Sequence, residues 1–147
     1  NDFSIPDVCH IGKNDFNTTG SINAWFGPKG TITPIHYDPK HNLLSQIIGY
    51  KYIALFHPNV WDKYLYPYPK DHLLHNTSTM DINILDLLHS NTITKEFKQQ
   101  LSIKYPQFFQ LINHENSSSK FYEIILKPGD VLYIPPKWGH FVTSLSV

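Results

Sequence analysis

Two stretches of this chain carry side chains that can act together on one metal ion. His36-Tyr37-Asp38 offers an imidazole and a carboxylate two positions apart, a spacing that sets both on one face of a strand. His140 offers a second imidazole at the end of Lys127-Pro128-Gly129-Asp130-Val131-Leu132-Tyr133-Ile134-Pro135-Pro136-Lys137-Trp138-Gly139. Two neutral imidazoles and one carboxylate form the facial triad that suits Fe(II) and leaves coordination positions open to reactants. His-x-Asp alone is a weak signal in a chain with nine histidines. The second stretch supplies context: Gly129 permits a tight turn into a strand, Pro135-Pro136 ends that strand, and the histidine follows.

The three groups meet only if the elements around them fold about one lumen. Ser21 to Phe26 reads as a strand ended by the turn signal Gly27-Pro28-Lys29-Gly30. Thr31 to Asp38 is a short β-prone run in which Pro34 marks an edge or a bulge. An apolar run from Asn42 to Ile48 leads through a hairpin-like turn at Gly49-Tyr50 into the clearest strand, Lys51 to His57. There Tyr52, Ala54 and Phe56 alternate with Lys51, Ile53 and Leu55. Pro58 to Asp71 reads as a Pro- and Tyr-rich loop, and the spacing of apolar residues over 81–113 predicts helices, with Pro106 opening a new one. Asn113 to Lys120 reads as a polar loop. Phe121 to Leu126 and Val131 to Ile134 read as strands joined by Lys-Pro-Gly-Asp, and a last strand starts at Phe141. Many short strands with Gly/Pro turns predict a mainly β fold, a barrel or jelly roll, with a helical insertion at about 81–118, as one domain over 1–147.

The composition narrows the function classes. A chain of 147 residues with 41% hydrophobic residues can bury a real core. Twelve basic and twelve acidic groups balance, which argues against a nucleic-acid groove or an anionic membrane surface. No apolar run approaches the ~20 residues of a membrane span. The lone Cys9 favours a reducing compartment, nuclear and/or cytoplasmic, where the sequons at Asn17, Asn76 and Asn116 stay unmodified. The start at Asn1 and a final strand running to Val147 lead us to expect a longer parent protein.

Residues 22–56 and 121–147 resemble the JmjC domain of 2-oxoglutarate oxygenases. The stretches that carry the resemblance are Asn23-Ala24-Trp25-Phe26-Gly27-Pro28, Gly30-Thr31-Ile32-Thr33-Pro34-Ile35-His36-Tyr37-Asp38-Pro39, Gly49-Tyr50-Lys51-Tyr52-Ile53 and Leu73-Leu74-His75-Asn76-Thr77-Ser78. The resemblance implies a double-stranded β-helix (a cupin-like jelly roll), and Fe(II) held by His36, Asp38 and His140, with 2-oxoglutarate as cosubstrate and O2 as oxidant. It implies that Lys51 pairs with the far carboxylate of 2-oxoglutarate and Thr33 donates its hydroxyl to it. Asn42 would line the same pocket, as would Trp25 more loosely. Physical logic agrees for Lys51, since an ammonium sharing a face with Ile53 and Leu55 needs an anion. Thr33 has the opposite strand parity to His36, and a bulge at Pro34 is what would reconcile them. The resemblance further implies hydroxylation of a protein side chain, an arginine of a histone, ribosomal or chromatin protein. The same chemistry on an N-methyl-lysine would release formaldehyde and make a demethylase. The stretch around 86–118 is longer than the family pattern. A Tyr and a Trp that normally help hold 2-oxoglutarate belong to segments before and after this sequence.

Other readings compete. A metal-inert cupin-like binding module would be signalled by loss of the triad, which is intact. A cupin enzyme without 2-oxoglutarate usually has more histidines near the first motif, and it leaves Lys51 without a role. Peptidase chemistry lacks a nucleophile or hydrolytic base, since neighbouring Cys9 and His10 point apart in an extended chain. His10, His41, His57, His72, His89 and His114 read as surface or hydrogen-bonding groups, and His75-Asn76 as turn-stabilising. Trp61, Trp138, Tyr64, Tyr66 and Tyr68 either cradle a peptide or cap the barrel.

Overall fold

The computed structural model describes residues 21–113 and 121–146. Its strands are β1 (Ile32–His36), β2 (Asn42–Ser45), β3 (Lys51–Phe56), β4 (Phe121–Leu126), β5 (Val131–Ile134) and β6 (Gly139–Ser144). They form a four-stranded antiparallel sheet in the order β1-β6-β3-β4 and a two-stranded sheet of β2 and β5. Four helices lie between β3 and β4 in sequence: α1 (Trp61–Tyr64), α2 (Ile84–His89), α3 (Lys95–Lys104) and α4 (Pro106–Ile112).

Alternation along β3 divides the molecule. Tyr52, Ala54 and Phe56 face the helices and pack with Ile35, Phe141, Trp61, Leu87 and Phe108. Ile53 and Leu55 face the small sheet and pack with Leu126, Ile134, Leu44 and Trp138. Phe56, Phe108 and Phe141 are fully buried, and each such ring contributes about 1.5–3 kcal/mol by leaving water. The helices are held by local signals: the Asn83 side chain caps α2, Thr94 caps α3 by accepting from the Phe97 N–H, and Pro106 opens α4.

The strands expected around Lys51 and in the C-terminal part are present, as are the helices over 81–113. Pro34 sits on an edge strand, at a bulge. Three expectations are corrected. Ser21 to Phe26 forms no strand, because it makes no ladder with a neighbour. Gly49-Tyr50 closes no hairpin: its turn, like the Lys-Pro-Gly-Asp connection, carries the chain from one sheet to the other, with Gly49 and Gly129 at positive φ. The loop expected at 58–71 contains a 3-10 turn at Pro58–Val60 and α1, which send Trp61 and Leu65 into the helix-side core. The expected entry segment 1–20 and nearly all of the loop 113–120 lie outside the described residues.

Candidate metal centre

His36 ends β1, and its cross-strand partner is His140, the second residue of β6. Directly paired residues project to one face, so the two rings meet, with centroids 4.1 Å apart. Asp38 lies just past β1. The ligand atoms of His36, Asp38 and His140 all lie within 4.8 Å of one another. The Nδ1–H of His36 donates to the Pro34 carbonyl at 2.9 Å, and that of His140 to the Trp138 carbonyl at 3.0 Å. A carbonyl can only accept, so both protons sit on Nδ1 and both Nε2 lone pairs are free for a metal. Burial holds the His140 pKa below its ordinary value, and His36 lowers it further. The Trp138 carbonyl and Asp38, whose Oδ2 is 3.8 Å from Nε2, pull the other way. Two neutral imidazoles and a carboxylate at this separation fit a divalent ion such as Fe(II).

The remaining candidates divide. The register of β1 on β6 slips between Thr33, paired with Val142, and His36. One extra residue on β1 brings Thr33 onto the face of His36, since Val142 and His140 share parity. Lys51 pairs with Ser144 on the same face, four residues along β3 from Leu55, the partner of His140. That is roughly 13 Å along the strand. Among the described residues no carboxylate pairs with Lys51. Asn42 also points inward, beside Ile134, but its amide donates to Asp38 Oδ2 at 2.6 Å. Trp25 is 72% exposed and lies in no strand.

Sequence reasoning missed how the centre is braced. Asn76 was read as a turn residue; its amide donates to the Tyr37 carbonyl, and its own carbonyl accepts the Tyr37 N–H, so it grips the backbone between His36 and Asp38. The Lys137 N–H donates to the Asp38 carbonyl at 2.8 Å. No local pattern signals contacts between such distant segments. Trp138 lies on the lumen side against Tyr122 and His57, whereas Trp61 is buried on the helix side against Tyr37. His41 bonds Tyr133, and His89 bonds Glu123; His57 and His72 each accept a backbone N–H. Cys9, His10 and His114 lie outside the described residues.

Residues 2–147 match the model of a cupin-like domain. The chain is 38% identical over 146 residues to lysine-specific demethylase JMJ30 of Arabidopsis thaliana, covering 99% of this chain and 28% of that protein. It is 43% identical to JmjC domain-containing protein D of Dictyostelium discoideum (99% and 29% covered) and 41% identical to Jumonji C domain-containing protein 5 of Drosophila melanogaster (97% and 29%). The chain belongs to the cupin-like family, in its JmjC branch. The match runs through the helical stretch that looked long for a JmjC domain, so those helices are part of the matched region. This JmjC chain spans less than a third of the length of these relatives.

Proposed function

We propose that the protein is an Fe(II)- and 2-oxoglutarate-dependent dioxygenase that hydroxylates a protein side chain, an arginine first among the candidates. The observation that carries the reading is the convergence of His36, Asp38 and His140 with both Nε2 atoms free. When bound, Fe(II) and 2-oxoglutarate supply oxidative decarboxylation coupled to insertion of one oxygen atom into a substrate C–H. In this reading His36, Asp38 and His140 would hold the metal. Lys51, on the inner face with Ile53 and Leu55, binds the far carboxylate of the cosubstrate, and the Thr33 hydroxyl donates to it. Leu55, Ile53, Val142 and Leu44 keep the space between them dry, which strengthens that ion pair. Trp138 and Tyr122 pack together at the His140 end of the lumen, away from Lys51, where a protein side chain can enter. The substrate is a protein of the nucleus or cytoplasm.

A second outcome of the same chemistry, removal of a methyl group from lysine, is favoured by relatives named lysine-specific demethylases. One experiment separates them. The full-length parent protein is loaded anaerobically with Fe(II) and 2-oxoglutarate, then exposed to O2 with arginine-rich or methyl-lysine peptides. Succinate with one oxygen gained on arginine establishes the hydroxylase, and succinate with methyl loss establishes the demethylase. Absence of succinate, with His36→Ala behaving identically, rejects both and leaves a binding module.

A further inference from the structure

We infer that Asn42 and the backbone of Lys137 are positioning residues for the metal carboxylate, clamping Asp38 from two sides. The inference rests on the metal reading of the triad and adds a second role for Asn42 beside that of lining the 2-oxoglutarate pocket. Asp38 lies beyond the end of β1, so no sheet ladder fixes it. Two contacts replace the ladder. Asn42, the first residue of β2, donates from its side-chain amide to Asp38 Oδ2 at 2.6 Å and sets the plane of the carboxylate. The N–H of Lys137 donates to the Asp38 carbonyl at 2.8 Å and sets the backbone. Both contacts come from one corner: Asn42 pairs with Ile134, and Pro135 to Trp138 is the turn that leads from β5 to His140. The clamp therefore ties the carboxylate of the first motif to the imidazole of the second.

The conformation of Lys137 is the second sign. Its φ is +65°, at a turn position where glycine or asparagine is the usual occupant. The Trp138 N–H closes the turn onto the Pro135 carbonyl at 3.3 Å. A lysine held in the left-handed region beside a candidate metal centre is strain retained for a geometric result, here the aim of its N–H at Asp38.

The test uses Co(II), followed by visible absorption, on the full-length parent protein without 2-oxoglutarate. Asn42→Leu keeps the size of the side chain and removes the donor, and it should raise the Co(II) dissociation constant ten- to a hundredfold, as loss of a ligand's supporting hydrogen bond does. Lys137→Val, unfavourable at positive φ, should weaken Co(II) and alter its d–d bands. Lys137→Gly, at ease there and with its N–H intact, should bind Co(II) as the parent does. Binding within twofold of the parent by Asn42→Leu overturns the carboxylate contact; equal affinities for Lys137→Val and Lys137→Gly overturn the backbone contact. If Lys137→Val does not fold, Lys137→Gly against Lys137→Ala decides the second contact by the same rule. Loss of 2-oxoglutarate affinity in Asn42→Leu with unchanged Co(II) binding overturns the clamp and leaves the oxygenase reading standing. A parent protein that binds Co(II) no better than His36→Ala removes the metal reading itself.

Discussion

Lys51 is the one residue proposed to meet the cosubstrate with a full charge. It sits among Ile53, Leu55 and Leu126 with no carboxylate partner among the described residues, so a bound dianion would satisfy it. Lys51→Met keeps most of the stem and removes the charge. A hydrogen bond to a charged group is worth about 1.5–3 kcal/mol, so the 2-oxoglutarate dissociation constant should rise roughly 10- to 150-fold, measured by titration of the Co(II)-loaded parent protein. Thr33→Val, which removes a single hydroxyl at constant shape, should cost about 0.5–1.5 kcal/mol, a change of roughly 2- to 10-fold. A Lys51→Met protein that binds 2-oxoglutarate as the parent does rejects the anchor. The triad was legible in the sequence because ligand chemistry restricts it to a few residue types. The Asn42–Asp38 contact was not, because an amide can serve a cosubstrate or a carboxylate equally well, and the sequence does not show which groups the fold brings within reach.

At the scale of elements, period-two alternation located β3 and the faces of its side chains, and the parity conflict between Thr33 and His36 pointed to the bulge at Pro34. Which sheet each strand would join was hidden. A glycine turn between two apolar runs reads as a hairpin whether the chain doubles back in one sheet or crosses to another, and both such turns here cross. The strand expected at Ser21 to Phe26 was misjudged for a related reason: an apolar run reads as a strand, but a strand also needs a ladder partner, which the sequence does not display. Gly129 is the test of a crossing. At φ +93° it lies where L-residues are strained, while a Cβ placed there meets nothing within 4 Å. Gly129→Ala should therefore lose only backbone energy, about 1–2 kcal/mol by chemical denaturation. Gly139→Ala differs in kind, because its Cβ would press on Leu65 and Trp61 at 3.3 Å and so disturb the helix-side core next to His140.

For the whole molecule the organising fact is one sheet with different surroundings on its two faces. The helix side is large and closed, and the buried Tyr52 hydroxyl there donates to Glu123, which also bonds His89 of α2. Burial raises the Tyr52 pKa well above that of a free tyrosine, and the Glu123 hydrogen bond and charge raise it further. The unfolded chain ionises this phenol near pH 10 while the fold holds the proton. The contribution is thus complete below that pH and is lost as pH rises above it. The stability difference between the parent protein and Tyr52→Phe should be level at neutral pH and shrink above about pH 10; a difference that stays level there removes Tyr52 as the source. The other side holds a small core and the candidate metal centre, whose residues come from two distant stretches and join β1 to β6. A metal that binds only when those strands are paired stabilises the pairing by mass action, by about 2.7 kcal/mol at a free concentration one hundred times its dissociation constant. Thermal unfolding of the parent protein with Co(II) and then with excess chelator should show that gap. In His140→Ala the gap should close, because the remaining ligands both lie at the end of β1 and no longer span the two strands. A shift of equal size in His140→Ala would place the metal elsewhere on the molecule.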